Sequence, residues 1–160
     1  MSNIEYVYII ENIDVPEITN LLNSRMNSAL YRNSMRFVLL AGLQVAILNN
    51  INFLGYINPY LYILFIMLFP IKNNRTLFIF VSFLLGLTID IFSDSGGIHA
   101  AACVSIAYVR PVILKFSFGT VYEYQTIKFD TVEFSSKFIY IIIMTVIHHF
   151  ILFSLEIFNI

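Results

Sequence analysis

Few side chains in this chain could do chemistry, and they sit in odd places. Asp90 closes an apolar run, His99 and Arg110 lie in the next one, and His148, His149 and Glu156 lie in the last. An Asp, a His and a Glu brought together could bind a ligand, pass a proton or lock helices to one another. A charge inside a spanning helix costs a few kcal/mol or more, so each needs a reason. For Asp90 the simplest is capping: the next apolar segment begins just after it, and free amides at a helix start favour an anion. A proton or substrate site and a partner contact are the other readings. For Arg110, followed by Pro111, the simplest is a basic anchor snorkelling from a helix end to the interface. His148 and His149 are adjacent and point in different directions on a helix, whereas a helical metal pair is spaced by four. They read as neutral rings bonded within a bundle. His149 and Glu156 are seven apart and share a face, so Asp90, His99 and Glu156 could gather at one end of the bundle.

The remaining motif search is empty. There is no phosphate-cradling Gly loop, Cys-x-x-Cys pair, His-Glu-x-x-His or nucleophile elbow. No metal or cofactor is expected, and no enzymatic activity. The single cysteine, Cys103, sits in an apolar run and reads as a small packing residue.

The elements that must hold these groups are written in the hydropathy. Phe37 to Ile71 contains no Asp, Glu, Lys or Arg, in a chain of 160 residues that is 59% hydrophobic and 12% charged, with mean hydropathy +0.81. Such a chain is built for lipid: an all-α, polytopic membrane helix bundle. A transmembrane barrel would show short alternating segments instead. The net charge of −1 offers nothing to nucleic acid.

Five spanning helices are expected, at about 34–50, 57–71, 76–92, 97–115 and 137–158. Lys and Arg set their orientation. Arg25, Arg32 and Arg36 precede the first, Lys72 and Arg75 lie between the second and third, and Arg110, Lys115, Lys128 and Lys137 lie at the end of the fourth or in and beside the loop 116–136 that follows. The amino terminus and these loops are therefore expected inside, and the loops near 52 and 94 outside. Aromatics interleaved with charges suit 116–136 to lie on the inner interface. Gly97, Ala101 and Ser105 recur at four-residue spacing, a stripe that lets another helix approach closely.

Residues 1–25 differ from the rest. They hold Glu5, Glu11, Asp14 and Glu17 with one basic residue, Arg25, and show no signal-peptide pattern. Met26 opens a stretch that reads like a natural start, so 1–25 is either an atypical extension, not native to the protein, or a genuine cytoplasmic one. The membrane domain is 26–160.

The run Phe83-Leu84-Leu85-Gly86-Leu87-Thr88-Ile89-Asp90-Ile91-Phe92, then Gly97-Ile98-His99-Ala100-Ala101-Ala102 and Ala107-Tyr108-Val109-Arg110-Pro111, resembles the rod shape-determining MreD family. Leu43-Gln44-Val45, Asn49-Asn50-Ile51-Asn52, Gly55-Tyr56-Ile57-Asn58-Pro59, His148-His149-Phe150 and Leu155-Glu156 fit the same family, over about residues 26–160. Gly86, Asp90 and Gly97 match its pattern; His99, Arg110 and Pro111 match more locally. The resemblance implies a non-enzymatic subunit of the bacterial rod (elongation) complex in the cytoplasmic membrane. It would bind the bitopic protein MreC beside MreB and the lateral-wall peptidoglycan synthases. The fold implied is that of the six-helix substrate-binding subunits of energy-coupling-factor vitamin transporters. The family expects a sixth helix after Glu156, so a truncated chain or a lost helix is expected here. A vitamin-binding transporter subunit, with Asp90, His99, His149 and Glu156 lining an outer pocket, is the rival reading.

Overall fold

The structure is a computed structural model that describes residues 15–50, 59–71, 74–119 and 132–158. The expectations for residues 1–14, the loop near 52, Lys72 and most of the loop 116–136 lie outside the described residues. Those described are helical, with no strand among them. The helices are α1 (Val15–Ala46), followed by a 3-10 turn Leu48–Asn50, α2 (Ile63–Leu68), α3 (Arg75–Ser93), α4 (Ile98–Phe118) and α5 (Phe134–Phe158).

Two compact units divide at Arg36/Phe37. The first contains the charged half of α1, where Leu21, Leu22, Met26, Leu30 and Tyr31 are all exposed. Helix α1 runs from Val15 to Ala46, and the first segment expected at 34–50 is its last part plus the 3-10 turn.

The second unit holds the helix bundle. Three of its helices, α3, α4 and α5, have 19, 21 and 25 residues and are long and apolar enough to cross a membrane. At 1.5 Å per residue they reach about 28, 32 and 38 Å, against a hydrocarbon core of about 30 Å. Their outward faces carry large apolar side chains such as Phe80, Ile91, Val112, Val146 and Phe150, the composition a lipid-facing surface needs. The segment expected at 57–71 is different. Within it the described helix, α2, has six residues, about 9 Å of rise. Phe69 is extended at its end, because Pro70 disfavours the helical region for the residue before it.

Helix α4 packs on both α3 and α5, and α2 packs on α4 and α5. The core is built around Tyr62, Ile66, Leu85, Ile89, Cys103, Ile106 and Met144, each at most 1% exposed. Burial of Cys103 in this cluster agrees with a packing role. Pro111 lies inside α4, which continues to Phe118. The expected end at 115, with Arg110 and Pro111 as its terminal anchor, is corrected on this point.

Candidate functional site

Asp90 sits on the last turn of α3 and is 5% exposed. Its Oδ1 accepts the backbone N–H of His99 at 2.9 Å and the Ser95 hydroxyl at 2.6 Å, and its Oδ2 accepts the N–H of Ala100 at 2.8 Å. The first amides of a helix have no partner within it. The residue at the N-cap of α4 is Gly97, which has no side chain to supply one. A carboxylate from the preceding helix does so instead, and such charge-assisted bonds are strong in a low-dielectric interior.

Gly86 makes that reach possible. A Cβ there would lie 2.5 Å from Ala100 Cα and from the His99 carbonyl oxygen. The backbones of α3 and α4 touch at this point, one turn from Asp90 on the same face. The connection closes with Asp94 at φ 52° and Gly96 and Gly97 at φ 65° and 96°. Asp tolerates the left-handed region better than most residues, and the glycines adopt it freely.

Next to this clamp is a buried polar chain. The Tyr62 hydroxyl lies 2.9 Å from His99 Nδ1 and 2.9 Å from His148 Nε2. A hydroxyl has one proton, so it donates to one ring and accepts from the other. His148 is fully buried and its Nδ1 has no hydrogen-bond partner. If Tyr62 donated to His148, that Nδ1 would carry an orphaned N–H. If Tyr62 donates to His99, His148 uses Nε2–H and leaves only a bare lone pair, the cheaper of the two. The Tyr60 ring lies 5.5, 6.0 and 5.4 Å from those of His99, His148 and His149. His149 Nδ1 is 2.8 Å from the Thr145 carbonyl oxygen one turn back.

Arg110 is not a snorkelling anchor; that expectation is overturned by its burial, at 3% exposed. Its Nε donates to the Tyr140 hydroxyl at 3.0 Å, and its Nη2 donates to the carbonyls of Met67, at 3.1 Å, and Phe69. Tyr140 donates in turn to Met67 at 3.1 Å, and the guanidinium lies 5.0 Å from the Phe78 ring centre. The last carbonyls of a helix are unpaired and carry the negative end of its dipole. Arg110 thus caps α2 from α4, as Asp90 caps α4 from α3.

The structure therefore brings Asp90 and His99 together through backbone, with Gly86 beneath them. Glu156 is exposed near the end of α5 and makes no hydrogen bond with Asp90 or His99. The stripe Gly97, Ala101 and Ser105 turns away from the bundle. Ala101 is exposed, Ser105 is half-buried with its hydroxyl donating to the Ala101 carbonyl, and a Cβ on Gly97 would meet nothing within 4 Å. Tyr60, Tyr62 and Tyr140 did not stand out in the sequence. Neither did Gln44, fully buried, which donates to Asn49 at 3.0 Å and accepts from the Leu61 N–H at 2.9 Å. The signal for Gln44 was there: an amide interrupting the apolar stretch Phe37–Leu48.

Among the described residues, no three of His, Cys, Asp and Glu converge on a metal-sized site. The bonds of Asp90 and Arg110 lock helices to one another. No protein-family model, curated protein or solved structure matches the chain.

Proposed function

We propose that the chain is an integral membrane subunit of the bacterial rod (elongation) complex, a scaffold of the MreD type. In this reading it lies in the cytoplasmic membrane as a multi-pass protein with its amino terminus inside. It holds the single helix of MreC and works beside MreB and the lateral-wall peptidoglycan synthases, without catalysing a reaction itself. One observation carries the scaffold reading. The bundle's buried carboxylate and guanidinium bond other helices' backbone ends, while the small-residue stripe Gly97–Ala101–Ser105 is exposed at Ala101 and half-buried at its ends. Rigid interior locks and a close-approach outer face suit a protein that positions other helices, since association within lipid rests on packing and hydrogen bonds. The motif order from Gly86 to Pro111 supplies the particular complex. The test is co-purification in mild detergent. Tagged chain should carry MreC with it, and normal rod width in cells lacking the chain would reject the reading.

The second reading, a vitamin-binding subunit of an energy-coupling-factor transporter, has one observation in its favour. Tyr60, Tyr62, His99, His148 and His149 form a polar aromatic cluster with an unbonded ring nitrogen. That reading requires saturable vitamin binding in detergent and association with an ATPase module.

A further inference from the structure

A second basic feature lies away from the Asp90 clamp, beside the first turn of α3. A cleft of about 230 Å³ is lined there by Arg75 and Arg110, with Ile71, Phe78 and Leu114 among its apolar walls and no acidic side chain among the described residues. That volume equals the share of roughly seven or eight liquid waters at about 30 Å³ each, enough for a tetrahedral oxyanion.

Arg110 has five donor hydrogens. One goes from Nε to Tyr140 and two go from Nη2 to Met67 and Phe69. The two on Nη1 have no partner among the described residues. Arg110 lines the cleft. A guanidinium 3% exposed, with one edge uncommitted to any described residue, thus borders a space with apolar walls. Arg75 also lines it, its guanidinium 4.9 Å from the Tyr108 ring centre and one nitrogen 3.4 Å from the Tyr108 carbonyl. It is the first residue of α3, where the helix dipole adds positive potential. Two arginines, one fixed by three bonds and one held against an aromatic ring, line the same cleft, and guanidinium groups suit phosphate oxygens.

We propose that this cleft binds a phosphate group, through the free edge of Arg110 and the guanidinium of Arg75. The phosphate is presented either by the headgroup of an anionic phospholipid or by a phosphate-bearing solute. The site is independent of the partner reading above.

The experiment uses the full chain purified in a neutral detergent and titrated separately with phosphatidylglycerol, diacylglycerol and inorganic phosphate. Native mass spectrometry and thermal unfolding are read together. Replacing Arg110 would strip the caps from Met67 and Phe69 and confound folding with binding, so the variants are Arg75→Gln and Ile71→Trp, which fills the cleft. Saturable phosphatidylglycerol binding, weakened roughly fivefold or more by each variant and not matched by diacylglycerol, supports the lipid source. Stabilisation by inorganic phosphate alone, lost in the same variants, supports the solute source. No saturable binding of either phosphate compound, equal binding of diacylglycerol, or binding that both variants leave unchanged overturns the proposal.

Discussion

The carboxylate of Asp90 accepts the backbone N–H of Ala100 at 2.8 Å, and the two helices are close enough for this because position 86 has no side chain. The bond and the glycine are one device. Asp90→Ala leaves the first amides of α4 buried without an acceptor, at a cost of about 2–4 kcal/mol. Gly86→Ala drives a methyl into the Ala100 backbone and should cost about 1–3 kcal/mol or more. Gly42→Ala is the control, since a Cβ there meets nothing within 4 Å, and helix propensity alone makes it neutral or up to about 1 kcal/mol stabilising. Thermal unfolding in detergent reads all three. Equal midpoints for Gly86→Ala and Gly42→Ala would remove the close approach from the account.

Tyr62 bridges His99 and His148, and the unpartnered Nδ1 of His148 fixes the direction of the proton. Both rings should therefore be neutral Nε2–H tautomers. Nitrogen-15 NMR of histidine-labelled protein distinguishes the two ring nitrogens and checks this. Tyr62→Phe should destabilise by about 1–3 kcal/mol, because it removes both bonds and orphans two buried ring nitrogens. A second labelled spectrum should then show the His148 resonances moving most. An Nδ1–H form on His148 in the parent protein would contradict the assignment.

Arg110 should not tolerate lysine. Lysine keeps the charge, but its ammonium is a point donor that cannot reach Tyr140, Met67 and Phe69 together as a planar fork does. Leaving buried carbonyls and a buried cation imperfectly paired should cost about 2–4 kcal/mol. Tyr140→Phe removes one acceptor for Arg110 and one donor to Met67, and should cost about 1–2 kcal/mol. If Arg110→Lys unfolds at the parental midpoint, the guanidinium is not holding the end of α2.

These three networks also mark where the sequence was readable. Charge depletion and apolar runs located α3, α4 and α5 to within a few residues, because lipid solvent imposes composition over whole turns. Asp90 as a cap was legible because it falls a few residues before a helix start with no capping side chain of its own. Arg110 misled because a basic residue followed by proline looks like a helix end. Its burial depends on carbonyls of a helix more than forty residues earlier in the chain, and no local pattern encodes that. Tyr62 was invisible for the same reason: its partners are 37 and 86 residues away. The six-residue α2 was obscured because hydropathy reports burial without distinguishing a spanning helix from a short one packed inside a bundle.

Gly97 and Ala101 share the outward stripe, yet they make unequal tests of partner binding. Gly97 sits at φ 96°, a conformation that L side chains rarely adopt, so Gly97→Leu strains the backbone of the α3–α4 connection whatever the surface contacts. A loss of partner in that variant would mix folding with recognition. Ala101 is helical and exposed, so Ala101→Leu should leave the unfolding midpoint within about 0.5 kcal/mol of the parent. If a partner's helix packs closely here, the added bulk should separate the two backbones, and co-purified MreC should fall about tenfold, the equivalent of about 1.4 kcal/mol. Ala101→Gly, which keeps the surface small, should retain the partner. Undiminished MreC with Ala101→Leu, in a protein of parental stability, would move the contact to another face of the bundle.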